Sequence, residues 1–192
     1  RELAQKLIDQ YTDPLLAISS ITEVMGKVGD KFSRLEIFLP EMMKSGEAMA
    51  AAVEVFKTKL KVGESGAKKG KVILGTVKGD LHEIGKNIVK LMLEANGFEV
   101  KDLGYDVDSM NIIKEAQAND VDIIGLSSLM TTTMPHQKEV IDLLKDKGIR
   151  DKFKVVIGGA PTTQKWADEI GADLYCYDAG SAPRKISEIL QK

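Results

Sequence analysis

The sequence is poor in several things, and each shortage excludes something. It has one cysteine, Cys176, in 192 residues. No internal disulfide can form, and a reducing compartment is expected. It has no excess of one charge, since 27 basic residues face 29 acidic ones for a net charge of -2. Without a basic field it lacks the electrostatic footprint of a nucleic-acid binder. No apolar run approaches the roughly 18–20 residues that a membrane span requires, and no signal peptide stands at the start. A cytoplasmic protein with neither nucleic acid nor membrane as partner is the expectation. Histidine is scarce too, with only His82 and His136. The chain opens on Arg1 rather than Met, with Leu3, Leu7 and Ile8 already at helical spacing. This gives the expectation that it starts inside a helix, with residues missing upstream.

What is present has two textures. Hydrophobic residues make up 43% of the chain, enough for one large core or two small ones. Residues 1–62 read as helices only. Leu3, Leu7, Ile8 and Tyr11 form a first apolar stripe. After Asp13-Pro14, a helix start signal, a second runs through Leu15, Ile18, Ile21, Met25 and Val28. A third begins within residues 35–40 and continues through Met42, Met43, Met49, Ala52, Val53, Phe56 and Leu60. A bundle of three or four helices is expected, followed by a polar, glycine-rich linker at 62–70.

From Lys71 onward, short apolar runs alternate with amphipathic stretches. Strands are predicted at 72–77, 98–103, 121–127, 153–157 and 173–176. Helices are predicted at 84–96, 109–119, 134–147, 162–170 and 181–191. Five βα units in succession imply a parallel sheet covered on both faces. The fold class is therefore α/β, a flavodoxin-like (Rossmann-like) five-stranded parallel sheet of order 2-1-3-4-5 behind a small all-α bundle. The domains are set at 1–66, the bundle with its linker, and 67–192, the sheet domain. In such a sheet the ligand crevice lies beyond the carboxyl ends of strands 1 and 3.

The loops at that crevice are unusual. The first reads Lys78-Gly79-Asp80-Leu81-His82-Glu83-Ile84-Gly85. Asp80 is close enough to bond one imidazole nitrogen of His82 and leave the other free for a metal. Gly85 removes a side chain where something bulky can approach. Judged alone, His82 also reads as a solvated loop histidine beside an N-capping Asp. The glycine spacing fits no phosphate loop. The second loop, 127–133, holds five hydroxyls in seven residues. One of them, Thr133, also reads as the N-cap of the next helix. After strand 4, Gly158-Gly159 allows close contact between backbone and ligand, or is an ordinary βα turn. His136 reads as a solvent-facing helix residue, and Cys176 as a small buried hydrophobe.

Taken together, Asp80-x-His82-x-x-Gly85, then Ser127-x-Leu129, then Gly158-Gly159 resemble the three-part signature of the cobalamin-binding domain. The helical half, with Phe38-Leu39-Pro40-Glu41-Met42-Met43, is similar to the cap of cobalamin-dependent methionine synthase and of corrinoid proteins in anaerobic methyltransferase systems. The resemblance implies a cobalamin or related corrinoid bound base-off/His-on, with His82 as the cobalt ligand. Asp80 would bond His82, and Thr133 would stand where methionine synthase has the Ser of this relay. It further implies cofactor contacts at Gly79, Leu81, Glu83, Ile84 and Gly85 around the histidine. Ser127, Leu129, Thr131, Gly158, Gly159, Ala160, Tyr177 and Ala179 would contact the nucleotide tail or the corrin edge. Phe38, Met42 and Met43 are candidates for covering the upper face, with bundle core as their other reading.

The implied function is that of a methyl carrier with no catalysis of its own. Co(I) would accept a methyl group through a substrate-specific methyltransferase of the methyl ether, methylamine or methanol type. Methyl-Co(III) would deliver it to a second methyltransferase acting on tetrahydrofolate or a thiol. A reductive activator is a further expected partner. The other readings are the cobalamin subunit of a carbon-skeleton mutase, a cobalamin-binding sensor or regulator, and a ligand-free receiver module. The mutase domains usually lack such a helical half. The sensors typically carry a Trp in theirs, whereas Trp166 lies in the other half here. A receiver needs more carboxylates at the strand ends than Asp80 alone.

Overall fold

The computed structural model describes residues 1–10, 13–59 and 69–191. Tyr11, Leu60 and the linker residues 62–68 lie outside the described residues, as do the side chains of Leu15, Met25, Leu39 and Met43. The chain divides into two compact units, Arg1–Lys61 and Val62–Lys192.

The first unit contains three helices among the described residues: α1 (Glu2–Asp9), α2 (Pro14–Ser33) and α3 (Leu39–Lys57). Pro14 opens α2, where its fixed φ suits a first turn and its missing N–H costs nothing. At the start of α3, the Glu41 carboxylate reaches back to accept the Phe38 N–H at 2.7 Å. α3 packs on both α1 and α2. Ala4, Ile8, Ala17, Ile18, Val53 and Phe56 are buried in this unit.

The second unit runs β1 (Gly70–Thr76), α4 (Ile84–Ala95), β2 (Phe98–Asp102), α5 (Ser109–Ala118), β3 (Ile123–Ser127) and α6 (Pro135–Asp146). It continues with β4 (Lys154–Gly158), α7 (Gln164–Ile170), β5 (Leu174–Tyr175) and α8 (Ala182–Leu190). The sheet order is β2-β1-β3-β4-β5, and every pairing is parallel. Central strands covered on both faces must be apolar at every position, and the two-residue side-chain period sorts them. Ile73, Ile124, Leu126, Val155 and Ile157 join one core, shared with Ile113 of α5, Ile141 of α6 and Ile170 of α7. Val72, Leu74, Ile123 and Val156 join the other, with Leu93 of α4 and Ile186 of α8. Each fully buried Ile or Leu contributes about 1.5–3 kcal/mol.

The strands and helices end within one or two residues of the predicted bounds. The physical reason is visible at the carboxyl ends. There Val77 bridges to Val107 outside the named strands, where the loops leave the ladder.

One buried charge fixes the helix that follows the histidine loop. The Lys86 side chain is 1% exposed and its Nζ lies 2.5 Å from Oδ1 of Asp102. Burial works to raise the pKa of Asp102. The Lys86 hydrogen bond, the Gly104 N–H and the charges of Lys86 and Lys90 outweigh it, so the carboxyl lies below its ordinary value. Removing one partner of a buried pair costs about 3–5 kcal/mol. Lys90, 3.8 Å from Oδ2, offsets part of that loss. Lys86→Ala is expected to destabilise the apo protein by about 2–4 kcal/mol in urea unfolding at neutral pH. A depressed folded-state pKa gives stability that is present above the unfolded value, about 3.9, and is lost as pH falls through the folded one. The gap between wild type and variant should therefore close as pH drops below about 4.

Candidate functional site

The site forms where the loops after β1 and β3 face each other, at the point where the sheet connections diverge. Gly79 adopts φ +77°, a left-handed conformation that turns the chain directly after β1. The next residue, Asp80, is fully buried. Both of its carboxylate oxygens are saturated. Oδ1 receives the His82 N–H at 3.1 Å and the ring Nδ1 of His82 at 2.8 Å. Oδ2 receives the Leu129 N–H at 2.7 Å and the Thr133 hydroxyl at 2.8 Å. Burial pushes the Asp80 pKa up, yet these hydrogen bonds together hold it below its ordinary value.

An ionised carboxylate only accepts, so Nδ1 is the donor to Asp80, and in the neutral imidazole Nε2 then carries the lone pair. No hydrogen bond from a described residue claims Nε2, and the His82 side chain is 48% exposed. Around it, Leu81 and Leu129 are exposed apolar side chains, and a Cβ added at Gly85 would meet nothing within 4 Å. The His82 carbonyl is tied down separately, accepting the Thr76 hydroxyl at 3.0 Å.

Behind this pair stands a third layer. The Ser128 and Thr133 hydroxyls lie 2.8 Å apart. The Ser128 N–H donates to the Gly158 carbonyl at 3.1 Å. Gly159, at φ +120°, lies so close that an added Cβ would stand 1.8 Å from the Ser128 carbonyl oxygen. Gln137 is fully buried and donates to the carbonyls of Leu126 at 3.0 Å and Gly158 at 3.2 Å. Its own carbonyl accepts the Trp166 indole N–H at 3.0 Å. The ends of β3 and β4 are thus locked beneath the site.

The structure brings Asp80, His82, Leu129 and Thr133 into one network, with Gly158 and Gly159 joined to it through Ser128. Thr133 does not cap α6. That helix starts at Pro135 with no side-chain cap, and the Thr133 hydroxyl goes to Asp80 instead. Ser127 is half-buried at the end of β3, where its carbonyl accepts the Val77 N–H at 3.0 Å. Glu83 and Ile84 form the start of α4. Thr131 and Ala160 are exposed. Tyr177 is 82% exposed and Ala179 half-buried, both in the loop before α8. No hydrogen bond between described residues ties these last four to the Asp80 network. Phe38 is exposed and Met42 half-buried in the helical unit.

Two family models, each described as a B12 binding domain, match the chain. One covers residues 70–186 and the other residues 1–57. The chain belongs to the B12-binding domain family. This B12-binding chain is 51% identical over 166 residues to dimethylamine corrinoid protein 3 of Methanosarcina mazei, spanning 86% of this chain and 99% of that protein. Its fold matches the monomethylamine corrinoid protein of Methanosarcina barkeri with a TM-score of 0.88 and 38% identity, over 98% of this chain and 89% of that one. It also matches the methanol:cobalamin methyltransferase complex MtaBC of Methanosarcina barkeri, with a TM-score of 0.61 and 34% identity, over 97% of this chain and 71% of that one. No helix among the described residues of this B12-binding protein is long and apolar enough to cross a membrane.

Sequence reasoning missed Gln137 and Thr76 as parts of the site, and included Ser128 only as one of the five hydroxyls of the 127–133 loop. Thr76 did carry a signal, as a hydroxyl at the end of an otherwise apolar strand. Ser128 was masked by its neighbour Ser127. Two bland readings also change in detail. His136 Nδ1 lies 2.7 Å from Glu139, which also accepts the Ser109 hydroxyl at 3.0 Å. Cys176 sits just past β5, half-buried, where burial raises its thiol to about 11. That keeps it protonated and unreactive near neutral pH.

Proposed function

We propose that this chain is a corrinoid methyl carrier. It receives a methyl group through a substrate-specific methyltransferase and passes it to a second methyltransferase acting on tetrahydrofolate or a thiol. The single observation that carries the reading is the His82 ring, held through Nδ1 by buried Asp80 with Nε2 bonded to no described residue. One available nitrogen would suit a metal whose remaining ligands come largely from a macrocycle. The exposed Leu81 and Leu129 side chains and the open space over Gly85 suit the flat apolar face of such a ring. The residues present therefore fit a corrinoid held base-off/His-on.

A bound corrinoid supplies the cobalt that takes up and gives back the methyl group. The chain's own work is to hold, orient and expose. His82 would hold the cobalt through Nε2. Asp80 keeps the ring proton on Nδ1, and Leu129 and Thr133 keep Asp80 ionised. A proton on Asp80 would weaken the acceptor that orients the ring and so loosen the hold of Nε2 on such a group. Methylamines are the donor class supported by the names of the relatives. A reductive activator is the third partner of this reading, and the cytoplasm its compartment.

The test is the visible spectrum of purified protein reconstituted with cobalamin. Wild type should show histidine-ligated cobalt, and His82→Ala should lose that signature while still folding. Identical spectra for the two proteins would rule out the ligand assignment. Methyl transfer from a methylamine in the presence of its methyltransferase then tests the carrier role.

A further inference from the structure

A residue outside the histidine loop grips its first turn. Asp106 lies in the loop between β2 and α5, at φ +52°. L residues rarely adopt this left-handed region, and Asp is one of the few that tolerate it. Its Oδ1 accepts the Gly79 N–H at 2.7 Å, and its own N–H donates to the Asp80 carbonyl at 3.0 Å. The flanking backbone runs beside β1. The Val107 N–H donates to the Thr76 carbonyl at 3.1 Å, and the Thr76 N–H donates to the Gly104 carbonyl at 3.0 Å.

We propose that Asp106 is a positioning residue for His82. It sets the Gly79–Asp80 peptide from one side while Leu129 and Thr133 set the Asp80 carboxylate from the other. The inference rests on the reading of His82 as the axial ligand. Glycine is the residue with the widest choice of backbone angles, so the Gly79 turn needs an external hold. Asp106 supplies it at the donor of Gly79 and at the acceptor of Asp80. With both ends of Asp80 fixed, the imidazole bonded to it has one orientation. The strained backbone of Asp106 is what aims its carboxylate and its N–H at adjacent peptides.

Two variants separate this role from mere turn formation. Asp106→Asn keeps a side-chain acceptor and tolerates left-handed φ. Asp106→Gly relieves the backbone completely but has nothing to accept the Gly79 N–H. Each is made in the full chain, reconstituted with cobalamin, and read by visible spectrum and cobalamin affinity, beside thermal unfolding of the apo protein. His82→Ala serves as the reference. The asparagine variant should match wild type. The glycine variant should unfold like wild type, yet its ratio of histidine-ligated to unligated cobalt should fall about tenfold, the scale of one hydrogen bond to a charged group.

A wild-type spectrum and affinity in Asp106→Gly, with His82→Ala altered, would overturn the positioning role and leave the ligand reading intact. An unaltered His82→Ala spectrum would instead remove the ligand reading on which it rests. Should the glycine variant fail to fold, amide exchange in apo wild type decides. The exposed Gly79 N–H should exchange slowly, and exchange at the rate of an open loop overturns the proposal.

Discussion

Asp80→Asn is expected to weaken histidine ligation of a bound corrinoid by about 10–100-fold, although it changes a single atom of the side chain. The carboxylate accepts two donors on each oxygen: the His82 N–H and ring on Oδ1, and the Leu129 N–H and Thr133 hydroxyl on Oδ2. An amide has one acceptor oxygen and one NH2 group. If the NH2 group takes the Oδ2 place, it meets the Leu129 N–H donor to donor. If it takes the Oδ1 place, it meets the His82 N–H in the same way and can be satisfied only by a ring Nδ1 without hydrogen. That second arrangement moves the ring proton to Nε2 and removes the lone pair that would bind cobalt.

Either arrangement leaves a part-buried donor facing another donor, at a cost of about 1–3 kcal/mol. Asp80→Ala avoids the donor–donor contacts but orphans the Leu129 N–H and frees the ring to turn. The check is cobalamin titration followed by absorbance, with urea unfolding of the apo forms beside it. Both variants should lose the histidine-ligated spectrum and keep the fold. A wild-type spectrum for Asp80→Asn would show that the tautomer is not set by this carboxylate.

The strand order was legible because a parallel sheet covered on both sides forces continuous apolar runs, such as 72–74 and 123–126, broken by helical periodicity. The Asp80–His82 pair was legible because two residues of separation bring a short carboxylate and an imidazole together whatever surrounds them. The layer behind it was not legible from spacing, and only Thr133 was named, through the family resemblance. Asp106 acts on Gly79 from 27 residues away, and Thr133 on Asp80 from 53. Periodicity and spacing say nothing about such pairs until the loops are placed. Ser127 and Ser128 illustrate the same limit at single-residue scale. The strand ends at Ser127, so which hydroxyl turns inward depends on the path of the next residue, and it is Ser128 that is fully buried beside Thr133. Thr133 also read as a cap because it precedes a helix, and its place in the relay came only from the family resemblance. With Pro135 at the helix start and Asp80 opposite, its hydroxyl has a stronger, charged acceptor.

Gly159→Ala is expected to destabilise the apo protein by more than about 4 kcal/mol, or to prevent folding. The added Cβ would stand 1.8 Å from the Ser128 carbonyl oxygen, 2.6 Å from its carbon and 3.0 Å from its nitrogen. All three are backbone atoms, so no side-chain rotation relieves the overlap. At φ +120° an L residue is strained even in open space. The only escape is for the ends of β3 and β4 to part, which breaks the Ser128–Gly158 hydrogen bond and moves Ser128 away from Thr133. Thr133 is one of the four donors on Asp80, so the damage reaches His82 without touching it. Gly85→Ala is the counterpart that separates folding from binding. Its Cβ meets nothing within 4 Å, and Gly85 is the second residue of α4, a first-turn position where alanine stabilises by about 0.5 kcal/mol at most. Urea unfolding should therefore place the two variants on opposite sides of wild type. A Gly159→Ala protein as stable as wild type would mean that the β3 and β4 ends are not packed as described. A loss of cobalamin affinity in a fully stable Gly85→Ala protein would locate the ring over the open side of the His82 loop.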